Sequence, residues 1–296
     1  MPASLPLTRR RLLAGLSAVA ATGPAWADEL VVTLRAPDSD NDLRNNYARD
    51  AVKLALEKTR ASDGPYRLQL SAPMNKPRAL IEAAARTVPN FLIIAGPEAG
   101  RAAGLAPVLF PIHLGVNRYR VCFVHGPRQE AVREARGLEA VAALRHVQGR
   151  DWPDVAVLRA NGFNLTEVNT YDAMFELVAL GRADLFCRNV LEVGAEFQAH
   201  QDVKGLALDD SLLLAYDLPQ YLYTHPGNRR AIERVGRGLK LAFADGSLQA
   251  VLRRHLQPSL PLLDLPQRRL ITLQAPKAAI VEMNDKPFQI DLLRQP

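Results

Sequence analysis

Residues 164–192 read NLTEVNTYDAMFELVALGRADLFCRNVLE, and three elements follow one another there with clear punctuation. Leu165 and Val168 belong to a short β run, after which Thr170 is placed to cap a helix with its hydroxyl. Met174, Phe175, Leu177 and Val178 recur at helical spacing and give that helix one apolar face. Gly181 supplies a left-handed stop, and Leu185-Phe186-Cys187 is short and apolar enough for a buried parallel strand. The stretch therefore reads as a βαβ unit. Ligands of open parallel sheets lie beyond the carboxyl ends of the strands, where Arg188, Asn189 and Glu192 fall. Those three polar residues either meet a ligand or mark a loop and the next helix start.

The same logic extends toward the N-terminus. Leu30 to Leu34 is a β run, followed by a polar turn in which Asp38 or Ser39 faces a cleft or caps the next helix. That helix carries Tyr47, Val52, Leu54, Ala55 and Leu56 on its apolar face. Tyr66 to Leu70 is a second strand, Met74 to Arg86 a second helix and Asn90 to Ala95 a third strand. Alternating β and α elements with short connections predict an α/β fold with parallel sheets covered by helices. Gly96 to Arg101 follows the third strand as a candidate ligand loop.

Phe110 to Val124 is a long β passage, and a helix is predicted over Gln129 to Leu144. His146-Val147-Gln148-Gly149-Arg150-Asp151-Trp152 then reads as a strand and a glycine turn before a helix opening at Pro153-Asp154, a natural anion site. Trp152 either stacks on a ligand or wedges the helix into place. Leu212 to Tyr216 and Tyr221 to Thr224 form a second long crossing, and a helix from Asn228 to Ala244 shows Ile232, Val235, Leu239 and Leu241 on one side. The tail from Pro258 has one extended run, Ile271 to Leu273, and is expected to lie along the first lobe.

The run GRADLFCRN, the Asp-Gly-Ser turn at 245–247 and the order of elements resemble the family 3 solute-binding proteins, the type II periplasmic binding proteins of amino-acid ABC transporters. Asp-Leu-Arg at 42–44, VNRYRV, Trp-Pro-Asp and Arg-Asn-Val-Leu-Glu set the chain in a branch apart from the standard amino-acid binders. The resemblance implies two lobes joined by two hinge crossings, with residues 28–121 and 218–296 in one and 122–217 in the other. It also implies that Arg101 grips a ligand carboxylate, that Gln148, Gly149 and Arg150 assist, and that Asn189 stands where amino-acid binders place an aspartate for the ligand ammonium. Hydroxyl residues expected before Arg101 are replaced by Gly, Pro and Ala. With Arg188, these residues predict a cleft for a small anionic ligand, amino-acid-like or an organic acid, delivered to a transporter or sensor. A dehydratase-like enzyme or a sensory partner with a degraded pocket is the alternative.

At the N-terminus Arg9-Arg10-Arg11, a short apolar run and Ala25-Trp26-Ala27 read as a signal peptide cleaved near Ala27, with paired arginines resembling a twin-arginine signal although the general secretory route also accepts them. Residues 1–27 contribute three arginines and no acidic residue, so the formal charge falls from +6 to +3 without them, too small a surplus to imply nucleic-acid binding. A soluble periplasmic monomer is expected. Two cysteines, Cys122 and Cys187, lie in apolar β runs, where free thiols are the favoured reading over a disulfide. Six scattered histidines offer no metal-ligand spacing, and neither a metal nor a cofactor is expected.

Overall fold

The computed structural model describes residues 28–37, 42, 44–276 and 283–294; residues 1–27, where a signal peptide is expected, and Asp38 lie outside them. The chain begins with β1 (Leu30–Leu34), α1 (Asn46–Lys58), α2 (Arg60–Asp63), β2 (Tyr66–Leu70), α3 (Lys76–Ala85), β3 (Phe91–Ala95), α4 (Pro97–Ala102) and β4 (Ala106–Pro107). It continues with β5 (Tyr119–His125), α5 (Gln129–Glu134), α6 (Gly137–Ala143), β6 (Arg145–Gly149), α7 (Pro153–Ala160), β7 (Asn164–Val168), α8 (Tyr171–Ala179), β8 (Leu185–Asn189) and α9 (Val193–Ala199). The remainder is β9 (Leu206–Leu208), β10 (Leu212–Ala215), β11 (Tyr221–Thr224), α10 (Arg229–Ala244), α11 (Ser247–Leu256), α12 (Leu260–Leu263) and β12 (Arg269–Thr272).

Two sheets result, and their strand orders explain the two-lobed shape. The first runs β2-β1-β3-β11-β4, with β1 parallel to both β2 and β3. The second runs β12-β10-β5-β8-β6-β7, with β6 parallel to β7 and β8. Neither is purely parallel, which corrects the expectation: β11 returns antiparallel to β3, and β5 lies antiparallel to β8 and β10. Strands that arrive by a long crossing from the other sheet have no crossover helix to set their direction, so these are the ones that run against their neighbours. The βαβ unit is present, but its strands β7 and β8 flank β6 rather than pairing directly.

Several local expectations change. The region after β3 is a helix, α4, because Pro97 sits in its first turn, where a missing amide costs nothing. The helix expected over 129–144 is broken in two, with Gly137 at φ +80° between the parts. Thr170 occupies the cap position of α8 without a side-chain hydrogen bond. Leu241 is 46% exposed, so α10 buries a different stripe. Arg234 is part of that stripe; it is fully covered and donates to the Thr59 hydroxyl at 3.0 Å and the Gly64 carbonyl at 2.7 Å. The tail is also reassigned: β12 pairs with β10 in the second sheet, and only then does the chain return to the first, where Asp285 accepts from the Tyr221 hydroxyl.

Cys122 and Cys187 form a disulfide. They face each other in the β5–β8 ladder, whose backbone bonds at Val190-Tyr119 and His125-Asp184 make the Cys122–Cys187 position one of the closely spaced, non-hydrogen-bonded pairs. Two thiols in separate apolar runs give no hint of this, because strand register decides it. Replacing both cysteines by alanine is expected to lower unfolding free energy by about 4 kcal/mol, given the loop it closes. Urea denaturation of the two proteins side by side checks this; unchanged midpoints would contradict it. Gly238→Ala is expected to cost ~1–3 kcal/mol, because its new methyl would lie 2.1 Å from the Ala55 carbonyl oxygen where α10 crosses α1; the same assay reads it.

Candidate functional site

The carboxyl ends of β6, β7 and β8 converge on one group of aromatic and charged side chains. At the end of β6, Gly149 lets the Trp152 indole lie directly over the backbone, since a Cβ there would come within 2.5 Å of the ring. Trp152 precedes Pro153 at the start of α7, and the indole stacks beside Tyr171 with centroids 6.5 Å apart. Tyr171 opens α8 and donates its hydroxyl to Glu196 at 2.5 Å. Arg188 leaves β8 with its guanidinium 4.8 Å from the Trp152 ring centroid, in cation–π range.

Arg188 is only 5% exposed, so its charge has to be matched. Two carboxylates do this. The Nε–H lies 3.0 and 2.9 Å from the two oxygens of Glu196, one terminal nitrogen lies 2.7 Å from Glu196, and the same nitrogen bonds Glu192. Arg188, Glu192 and Glu196 are spaced by four residues each, so the strand end, the helix cap and the first turn of α9 turn inward together. Burial opposes the Arg188 charge, but Glu192 and Glu196 outweigh it and hold its pKa well above the ordinary value. Glu192 goes the other way: burial, with the charge of Glu196 added and that of Arg188 opposing, pushes its carboxyl from 4.5 to about 7.

The first lobe contributes Arg44, which leads into α1. Its guanidinium makes a two-pronged bond to the buried Asp42, at 2.6 and 2.8 Å, and reaches across to lie 4.8 Å from the Tyr171 ring centroid and 5.6 Å from that of Trp152. Behind these rings Arg120 of β5 donates to Asp154 at 2.8 Å, the Tyr216 hydroxyl donates to the same oxygen at 2.7 Å, and the guanidinium lies 3.7 Å from the Tyr216 ring centroid. Between the lobes is a cavity of about 70 Å³, walled by Tyr47, His113 and His255 on one side and by Asn189, Leu191 and Glu192 on the other.

Of the residues picked out from sequence, Trp152, Arg188, Asn189 and Glu192 are brought together here. Asn189 is turned inward on its own loop, accepting from the Leu191 amide at 2.9 Å. Gln148 is buried and accepts from the adjacent Gly149 amide at 3.2 Å. Arg150 is exposed, its backbone amide donating to Val168 at 2.8 Å. Arg101 is exposed on α4 rather than reaching from a loop. Of the three expected guanidiniums, Arg188 is buried and balanced by two acids, while Arg101 and Arg150 are exposed. Sequence reading passed over Arg44, Tyr171 and Glu196; the four-residue spacing from Arg188 through Glu192 was the available signal for Glu196.

No protein-family model matches the chain, and no curated protein matches it in sequence. Its fold does match solved structures. A protein from work on glutathione import in Gram-positive bacteria, via GshT and the cystine ABC importer TcyBC of Streptococcus mutans, aligns with a TM-score of 0.57 at 12% identity, covering 78% of this chain and 96% of that one. An ancestral arginine-binding protein bound to arginine aligns at 0.55 and 11% identity, over 76% and 98%. An amino-acid ABC transporter substrate-binding protein from Streptococcus pneumoniae, bound to L-arginine, aligns at 0.52 and 14% identity, over 77% and 94%. The chain therefore has the two-lobed type II periplasmic-binding-protein fold.

Glu196→Gln is expected to destabilise the protein by ~3–5 kcal/mol, because it leaves Arg188 buried and underpaired; chemical denaturation measures it. Glu192 has the opposite pH signature. Its folded pKa, about 7, lies above its ordinary 4.5, so the folded state holds the proton longer. Its contribution is complete below the unfolded value and is lost as pH rises through about 7, a loss of up to about 3 kcal/mol. Glu192→Gln is expected to flatten the stability profile between pH 4.5 and about 7; an unaltered slope would count against the assignment.

Proposed function

We propose that the chain is an extracytoplasmic solute-binding protein that closes two lobes on a small organic acid and presents it to an ABC transporter or a sensor. The observation carrying this reading is the wall of Trp152, Tyr171, Arg44 and Arg188, assembled from both lobes at the carboxyl ends of the strands, where an α/β sheet receives ligands. Lobe one is 28–121 with 218–296 and lobe two 122–217, amended so that β12 travels with the second sheet. Closure is a hinge movement about the passages near 116–119 and 216–221.

Preference for an acid over a zwitterion follows from what faces the cavity. Asn189 carries no charge, and Glu192 is both engaged with Arg188 and raised to about 7, so neither supplies the full negative charge that an α-amino group requires. Export follows from residues 1–27, with the amino terminus of the exported form expected at Asp28. No helix among the described residues is long and apolar enough to cross a membrane. The enzymatic alternative draws support from Glu192 near 7 and Lys76 lowered to about 8, since both titrate close to neutrality as an acid–base pair would.

Calorimetry with matched pairs, such as 2-oxoglutarate against glutamate, tests the reading. The keto acid is expected to bind at least ~10-fold more tightly, a difference of about 1.4 kcal/mol, and Trp152→Ala is expected to weaken binding by a similar factor. Tighter glutamate binding would reverse the ligand class, and product formation in an NMR time course would move the protein to the enzymatic reading. Sequencing the exported form tests the cleavage site; a terminus that retains Arg9 to Arg11 would dismiss it.

A further inference from the structure

The cations of the cleft are not equivalent. Arg188 is held by Glu192 and Glu196, Arg120 by Asp154 and Arg44 by Asp42. Arg35 donates to the Met74 carbonyl at 3.0 Å. Lys76 differs: it is half-buried at the first position of α3, just beyond the carboxyl end of β2, and no carboxylate among the described residues lies within ion-pair distance of it. Burial, then the charge of Arg35 and to a smaller degree that of Arg44, lowers its pKa to about 8, against the opposing charges of Asp154 and Glu192 of the second lobe.

A second group points to the same spot. His113, in the passage between the lobes, is 8% exposed, and its Nδ1 has no hydrogen-bond partner among the described residues. Burial and then the charges of Lys76 and Arg120 lower its pKa to about 4, so the ring is neutral at physiological pH and can donate from a ring nitrogen without adding charge. His113 also walls the interlobe cavity. A half-buried ammonium and a buried, unpartnered imidazole within electrostatic reach of each other lack one complement: an acceptor bearing negative charge.

We propose that Lys76, at the carboxyl end of β2, acts together with His113 of the cavity wall to anchor a carboxylate of the bound solute, the role that sequence resemblance assigned to Arg101. This rests on the organic-acid reading above and names the group that carries it. An incoming carboxylate offsets the field of Arg35 and Arg44 and raises the affinity of Lys76 for its proton. Binding therefore takes up protons just above pH 8 and weakens as pH rises further.

The test uses the purified full chain with 2-oxoglutarate, succinate, glutamate and inorganic phosphate. Melting temperature identifies which of them bind, and competitive acylation read by mass spectrometry then follows each lysine. A carboxylate that raises the melting temperature is expected to slow acylation of Lys76 at least ~10-fold while exposed Lys240 is unaffected. Lys76→Gln is expected to weaken that ligand at least ~10-fold, and Lys76→Arg to restore most of the affinity and abolish the loss above pH 8. A ligand that stabilises the protein without protecting Lys76, or that binds Lys76→Gln unchanged, overturns the anchor and leaves the solute-binding reading intact. Stabilisation by phosphate alone overturns the assignment to a carboxylate. Failure of all four to stabilise the protein removes the organic-acid reading, and the anchor with it.

Discussion

A guanidinium buried at the end of a central strand has to be neutralised, and much of the second lobe is arranged to do so. Arg188 cannot be left 5% exposed without acids around it, so α9 begins with Glu192 and Glu196 turned inward. Glu196 then takes the Tyr171 hydroxyl, which places that ring at the opening of α8, and the Arg188 face packs on Trp152. One strand end and the starts of three helices are thus tied into a rigid wall. Burial of Glu192, with the second acid Glu196 adding to it, is why Glu192 keeps its proton to a higher pH than a solvated glutamate would.

The wall becomes a cleft only because Arg44 comes across from the other lobe. Its two-pronged bond to Asp42 holds the guanidinium flat, and a flat cation can lie against Tyr171 and Trp152 where an ammonium would not hold its orientation. The lobes therefore meet through cation–π contacts, which are weak enough individually to be exchanged for a ligand. Beneath them the Arg120, Asp154 and Tyr216 group joins β5, α7 and the end of β10 close to both crossings.

How much was legible in the sequence varies with the range of the interaction. Strands Leu30–Leu34 and Tyr66–Leu70 fall where apolar runs bounded by polar turns placed them, and Gly181, at φ +66°, ends α8 as a left-handed stop should. Gly96 to Arg101 reads as a loop because it is short and lacks an apolar stripe, although Pro97 opens a helix there. Arg188, Asn189 and Glu192 are candidates from the rule that ligands lie beyond strand ends, and the structure groups them with Trp152. Arg101, the fifth residue of α4, is exposed on a helix where the local sequence reads as a loop.

The sequence by itself determined the alternation of strands and helices, the two long crossings and the set of polar residues at the strand ends, because each depends on hydrophobic periodicity, glycine and proline within a few residues. Only the tertiary structure decided that Cys122 and Cys187 pair, that β12 joins the second sheet, that Arg44 meets Tyr171, and that Lys76 is half-buried with no carboxylate among the described residues within ion-pair distance. Those facts depend on register between strands distant in sequence and on which charges share a buried space. Local pattern specifies which way a side chain faces from its own strand or helix. What stands opposite it is settled by packing.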